Sequence, residues 1–125
     1  MSVVLVVDDS PVIRRVMSVT FEKGGYEVEL AEDGQEALDV LEDVDVDVIF
    51  ADINMPVMDG ITMLKIIRES AEWGHLPVVM LTGVGEEKDR EKAMVAGANT
   101  ILTKPSSSSE IISTLQKLEV APAEY

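Results

Sequence analysis

Three aspartates, a threonine and a lysine stand where short apolar runs of this sequence end. Asp8 and Asp9 follow Val3–Val7, Asp52 follows Val46–Ala51, Thr82 follows Pro77–Leu81 and Lys104 follows Thr100–Thr103. Taken singly, an Asp or Thr after a strand is ordinarily the N-cap of the next helix. Asp8, Asp9 and Asp52 resist that explanation as a group, because Ser10 and Asp59 already stand at the helix starts that follow them. Two carboxylates at about 4 Å repel by roughly 4 kcal/mol at an effective dielectric of 20, so three held together require a cation. Lys104 offers one positive charge and leaves the group net negative and rich in hard oxygen donors. Such donors suit Mg2+ better than zinc, since the chain has no cysteine and His75 as its single histidine. A divalent ion, an ammonium and a hydroxyl around one carboxylate make a place for a phosphoryl group, with Asp52 as nucleophile and an acyl phosphate as product.

These residues meet only if the runs that carry them are neighbouring strands pointing the same way. Five apolar runs alternate with segments of helical period, which is the signature of an α/β fold with a parallel sheet. Val3–Val7 is a continuous β-branched run, expected of a central strand buried on both faces, whereas Tyr26–Leu30 alternates and is expected at a half-exposed edge. Ser10-Pro11 opens a first helix with an apolar stripe of Val12, Ile13, Val16, Met17 and Thr20, stopped by Gly24-Gly25. Asp33 with Glu36 opens a second helix with Ala37, Leu38 and Leu41 inward, and Asp59-Gly60 opens a third with Ile61, Leu64 and Ile67 inward. A charged helix from Glu86 ends at Gly97, and Ser107 with Glu110 forms a capping box for a last helix burying Ile111, Ile112, Leu115 and Leu118. Right-handed crossovers then favour a doubly wound, flavodoxin-like five-stranded parallel sheet of order 2-1-3-4-5 with helices on both faces. In such sheets ligands bind at the carboxyl ends of the strands, near the reversal between strands 1 and 3.

The chain is sized for one domain, expected over residues 1–119 with a tail at 120–125, and its 125 residues leave no room for a separate output domain. Twenty-four acids against ten Lys and Arg give a net charge of −14, which argues against direct contact with nucleic acid or anionic membranes. No signal peptide or membrane-length apolar stretch is present and cysteine is absent, so a cytoplasmic location is expected.

The run Val6-Val7-Asp8-Asp9-Ser10, the segment Asp52-Ile53-Asn54-Met55-Pro56-Val57-Met58-Asp59-Gly60, then Leu81-Thr82-Gly83 and Lys104-Pro105 follow one another in order and spacing. Together they resemble the receiver domain of two-component response regulators, over residues 3–118, with the first two segments closest to the chemotaxis branch. The resemblance implies that Asp52 accepts a phosphoryl group from a histidine kinase or phosphotransfer protein. It also implies that Asp8 and Asp9 hold Mg2+ with Asp52 and the main-chain carbonyl of Asn54, that Thr82 contacts the phosphoryl group and switches, and that Lys104 neutralises charge. A downstream target protein is then expected on the face of helix 4, strand 5 and helix 5. The family usually carries an aromatic residue three positions before the lysine, where this chain has Ile101, and often an apolar residue after Lys-Pro, where it has Ser106. A stiff β-branched side chain at position 101 shifts the expected switching motion to the loop after Thr82, which carries Gly83 and Gly85.

Two other functions share parts of this pattern. A flavin-binding protein of this architecture cradles phosphate in a hydroxyl- and glycine-rich first loop, where this chain has two acids. A Mg2+-dependent aspartyl-phosphate phosphohydrolase uses an acid two residues after its nucleophile, where this chain has the amide of Asn54, so a lasting phosphorylated state fits better than turnover. His75 is expected to be structural or inert, the methionines packing residues, and the Glu86–Lys92 charge run a solvated helix face.

Overall fold

In a computed structural model, described here for residues 2–118, five strands and five helices alternate along the chain. The strands are β1 (Val3–Val7), β2 (Glu27–Ala31), β3 (Val48–Asp52), β4 (Val78–Thr82) and β5 (Thr100–Thr103). The helices are α1 (Pro11–Lys23), α2 (Gly34–Asp43), α3 (Gly60–Glu69), α4 (Glu87–Ala96) and α5 (Ser108–Lys117). All strand pairings are parallel and the order is β2-β1-β3-β4-β5, as expected from the alternation of runs. The tail expected at 120–125 lies outside the described residues.

Strand periodicity divides the core in two. Leu5, Val7, Ile49, Ala51, Val78 and Met80 face one side of the sheet, where Ala37 and Leu41 of α2, Met63, Leu64 and Ile67 of α3, and Ala93 of α4 cover them. Their neighbours Val4, Val6, Val48, Phe50, Val79 and Leu81 face the other side, under Met17 and Phe21 of α1 and Ile111 and Leu115 of α5. Phe21 packs on Phe50 with ring centroids 4.9 Å apart. Both faces of the three central strands are therefore dry, which is why β1, β3 and β4 read as unbroken apolar runs.

Two details differ from the sequence-based expectation. The buried stripe of α1 runs through Ile13, Met17 and Phe21, while Val12 and Val16 are 69% and 58% exposed. Valines on two adjoining sides of the helix blur its inner face, and the aromatic partner of Phe50 decides the rotation. Strands 2, 3 and 4 also extend one residue further toward their carboxyl ends than the apolar runs, so Asp52 pairs in register with Leu81 and Thr82 with Thr103. Asp52 and Thr82 thus belong to the strands, which places them more rigidly than loop residues.

The helix starts form as the cap residues dictate. Ser10, Asp33, Asp59 and Ser107 each accept a hydrogen bond from the main-chain N–H three residues on. Ser107 and Glu110 complete a capping box. In α2 the Glu36 carboxylate instead reaches back to the N–H of Glu32, one residue before the cap.

Candidate functional site

Asp8 leaves the end of β1 fully buried, and one carboxylate oxygen accepts from the N–H of Ser10 at 2.9 Å. Its other oxygen lies 2.7 Å from the Lys104 ammonium. The main-chain carbonyl of Asp8 accepts a hydrogen bond from the guanidinium of Arg14 at 2.6 Å, so the first turn of α1 fixes the peptide that carries this acid. Asp52 ends β3 only 9% exposed, and its carboxylate stands 3.3 Å from the same ammonium. Asp9 is exposed and completes the group: Asp8, Asp9 and Asp52 each present an oxygen within 4.8 Å of the others.

Lys104 joins strand ends that are far apart in sequence. Its main-chain N–H donates to the carbonyl of Thr82 at 2.7 Å while its side chain reaches Asp8 and Asp52. Burial works against its charged form, but the contacts with the two carboxylates outweigh burial and hold its pKa above the ordinary lysine value. Burial raises the Asp52 carboxyl above its usual range; Lys104 opposes that, and the charges of Asp8 and Asp9 reinforce it. Three carboxylates around one ammonium leave excess negative charge among hard oxygens at a partly open sheet edge. Those donors fit a divalent cation of the Mg2+ type.

Thr82 is buried, and its hydroxyl donates to the Glu86 carboxylate at 3.4 Å. The side-chain amide of Asn54 donates to the same carboxylate at 3.4 Å and to Asp89 at 3.3 Å. The structure thus brings together Asp8, Asp9, Asp52 and Lys104 at one place, with Thr82 and Asn54 linked at its rim through Glu86. Glu86 and Asp89 are correspondingly more than a solvated helix face. Their chain positions signal only an acidic helix start, and nothing in the sequence marks the long-range contacts.

Two further residues shape the site beyond what their place in the sequence signals. A Cβ on Gly60 would sit 2.2 Å from the carbonyl oxygen of Asp52, so only glycine lets the start of α3 pass so close beneath that residue. Arg14 reads as an ordinary helix cation, yet it holds Asp8 and pairs at 3.9 Å with Glu32. His75 is exposed, at the opposite end of the sheet from the acidic group.

The family pattern described as the response regulator receiver domain matches residues 4–116. The chain is a response regulator receiver domain. Among solved structures it is similar to the chemotaxis response regulator CheY4 of Vibrio cholerae, with 39% identity and a TM-score of 0.88 over 94% of this chain and 98% of that one. It is 34% identical over 113 residues to the protein PilG of Pseudomonas aeruginosa, covering 90% of this chain and 84% of PilG. It is also 36% identical over 115 residues to the transcriptional regulatory protein TrcR of Mycobacterium tuberculosis, covering 92% of this chain but 44% of TrcR. The chain spans about half the length of the first curated relatives it matches, several of which are named as transcriptional regulators and one as DNA-binding.

Receiver domains of this family are signalling modules of two-component systems rather than turnover enzymes. In this receiver domain Ile101, where the family usually has an aromatic residue, pairs in register with Met80 and packs half-buried on the α2–α4 side of the sheet. Ser106 donates its hydroxyl to the carbonyl of Thr103, tightening the turn after β5. Among the described residues no helix is long and apolar enough to cross a membrane.

Proposed function

We propose that this receiver domain takes a phosphoryl group onto Asp52 from the phosphohistidine of a histidine kinase or phosphotransfer protein, and that the modified form alters binding to a target protein. The observation that carries it is the Asp52 carboxylate, buried at the sheet edge against Lys104 and grouped with Asp8 and Asp9. An oxygen of Asp52 attacks phosphorus, the P–N bond breaks, and its electron pair stays on the imidazole that leaves. Asp8, Asp9, Asp52 and the main-chain carbonyl of Asn54 would hold Mg2+, which would supply positive charge against the incoming phosphoryl oxygens. Lys104 exchanges part of its contact with Asp52 for a phosphoryl oxygen while Asp8 keeps it in place. The Thr82 hydroxyl donates to another.

Signalling is favoured over an aspartyl-phosphate phosphohydrolase, because the side chain two residues after Asp52 is the Asn54 amide, which transfers no proton. The domain works in the cytoplasm, with the target on the face of α4, β5 and α5. The charge of −14 opposes direct binding of this domain to nucleic acid, whatever longer relatives bind through other parts of their chains.

Incubation with acetyl phosphate and Mg2+, followed by mass mapping, tests the chemistry. One phosphoryl group is expected on Asp52, with none on Asp52→Asn and almost none on Asp9→Ala or in EDTA. Labelling of the wild type in EDTA, and of Asp9→Ala with Mg2+, at the level of the wild type with Mg2+ would show that no metal is involved.

A further inference from the structure

Glu86 occupies the N-cap position of α4, yet its side chain makes no capping hydrogen bond. An N-cap side chain that accepts from the first turn ordinarily stabilises a helix by about 1 kcal/mol. Here the carboxylate turns away and accepts from the Thr82 hydroxyl and the Asn54 amide, and Asn54 spends its other donation on Asp89 in the first turn of α4. Thr82 has a single hydroxyl proton. Whatever accepts it excludes a second acceptor, so the Glu86 carboxylate and a phosphoryl oxygen on Asp52 compete for the same donor.

We infer that Glu86 is a positioning residue that latches α4 to Thr82 and Asn54 in the unmodified domain and lets go when Asp52 carries a phosphoryl group. The inference rests on the phosphoacceptor role proposed above. Two effects act together at release: the phosphoryl oxygens take the Thr82 proton, and their charge repels a carboxylate held beside them. The freed carboxylate has somewhere to go, because the uncapped N–H groups at the start of α4 donate to it. Glu86 therefore has two alternative sets of partners, one in each state. The connecting loop permits the exchange, since Gly85 already adopts φ +83° and Gly83 leaves room for the Glu86 carboxylate, which lies 3.4 Å from where a Cβ would be.

Binding of the phosphoryl mimic beryllofluoride with Mg2+, together with hydrogen exchange over residues 82–90, separates contact from charge. Glu86→Ala loses the latch: exchange of that segment in the free domain rises, and the mimic binds about fivefold more tightly, as expected for two weak hydrogen bonds no longer broken on binding. Glu86→Gln keeps an acceptor for Thr82 and Asn54, so its free-state exchange stays near wild type, while loss of the charge still tightens mimic binding. The neighbouring Glu87→Gln, on an exposed side chain, changes neither. If both Glu86 variants bind the mimic within twofold of wild type, or Glu86→Ala leaves exchange at 82–90 unaltered, the latch is overturned while the phosphoacceptor role stands. A wild type that neither binds the mimic nor labels with acetyl phosphate overturns both.

Discussion

Asp52 sits in a place that suits its charged form poorly when no cation is present. Its carboxyl is raised above the ordinary value by burial, with Asp8 and Asp9 adding to the effect and Lys104 opposing it. A carboxyl raised on folding stabilises the fold fully below its ordinary value and loses that contribution as pH rises through the raised one. In chelator the wild type is therefore expected to lose stability as pH rises above the ordinary carboxylate range. Asp52→Asn removes this dependence and melts higher at neutral pH, by on the order of 1 kcal/mol or a few degrees. Thermal melts from that range up to neutral pH check it, and a lower melting temperature for Asp52→Asn at neutral pH would contradict it. At this scale Asp8, Asp9, Asp52, Thr82 and Lys104 were legible because strand ends in a parallel sheet are fixed places. Glu86 was not, since its partners Thr82 and Asn54 come from two different strand ends and a helix start explains an acid there without them.

Among the elements, all the helices but α4 announce themselves through their caps, and the least legible feature is the lock at the sheet end away from the acidic site. Arg68 of α3 donates to the carbonyls of Gly97 at 3.0 Å, Gly74 at 3.3 Å and Leu76 at 2.6 Å, and to the side-chain oxygen of Asn99 at 2.8 Å. That oxygen also accepts from the N–H of Val78, so one guanidinium ties α3 to the starts of β4 and β5. Among the described residues Arg68 pairs with no carboxylate, and burial lowers its pKa. Arg68 stands in the last turn of α3, where a cation is commonplace, and its position gives no sign of four acceptors from two loops. Arg68→Ala is expected to cost about 2–3 kcal/mol by leaving several carbonyls short of donors. Arg68→Lys recovers little of it, because an ammonium lacks the planar fork that spans them. Urea unfolding of the three proteins measures both statements. The stripe of α1 was misplaced for a different reason: its valines are apolar on two sides, and contact with Phe50 rather than composition picks the inner one.

For the molecule as a whole, the charge of −14 and the acidic group at the sheet edge act in the same direction, and both are relieved by cations. A specific divalent site stabilises the folded state by mass action, about 2.7 kcal/mol at a hundredfold excess over the dissociation constant. Mg2+ is therefore expected to raise the melting temperature well beyond NaCl of equal ionic strength, and Asp9→Ala to remove that excess while keeping the general salt effect. Equal responses to the two salts would leave only diffuse screening. The alternation of runs made the topology readable from the chain, because each strand buried on both faces must be apolar throughout. The same rule bears on α4, which fully buries only Ala93 and otherwise turns charged residues outward, with Met94 and Val95 exposed near its end. Ala93 and the half-buried Ala96 apart, the positions beyond its first turn contribute little that the core depends on, so substitutions at the exposed ones are close to neutral for folding. A lineage carrying this domain is thus free to rewrite the exposed positions of α4 and acquire a new binding specificity without disturbing the strand ends that bring Asp8, Asp52, Thr82 and Lys104 together.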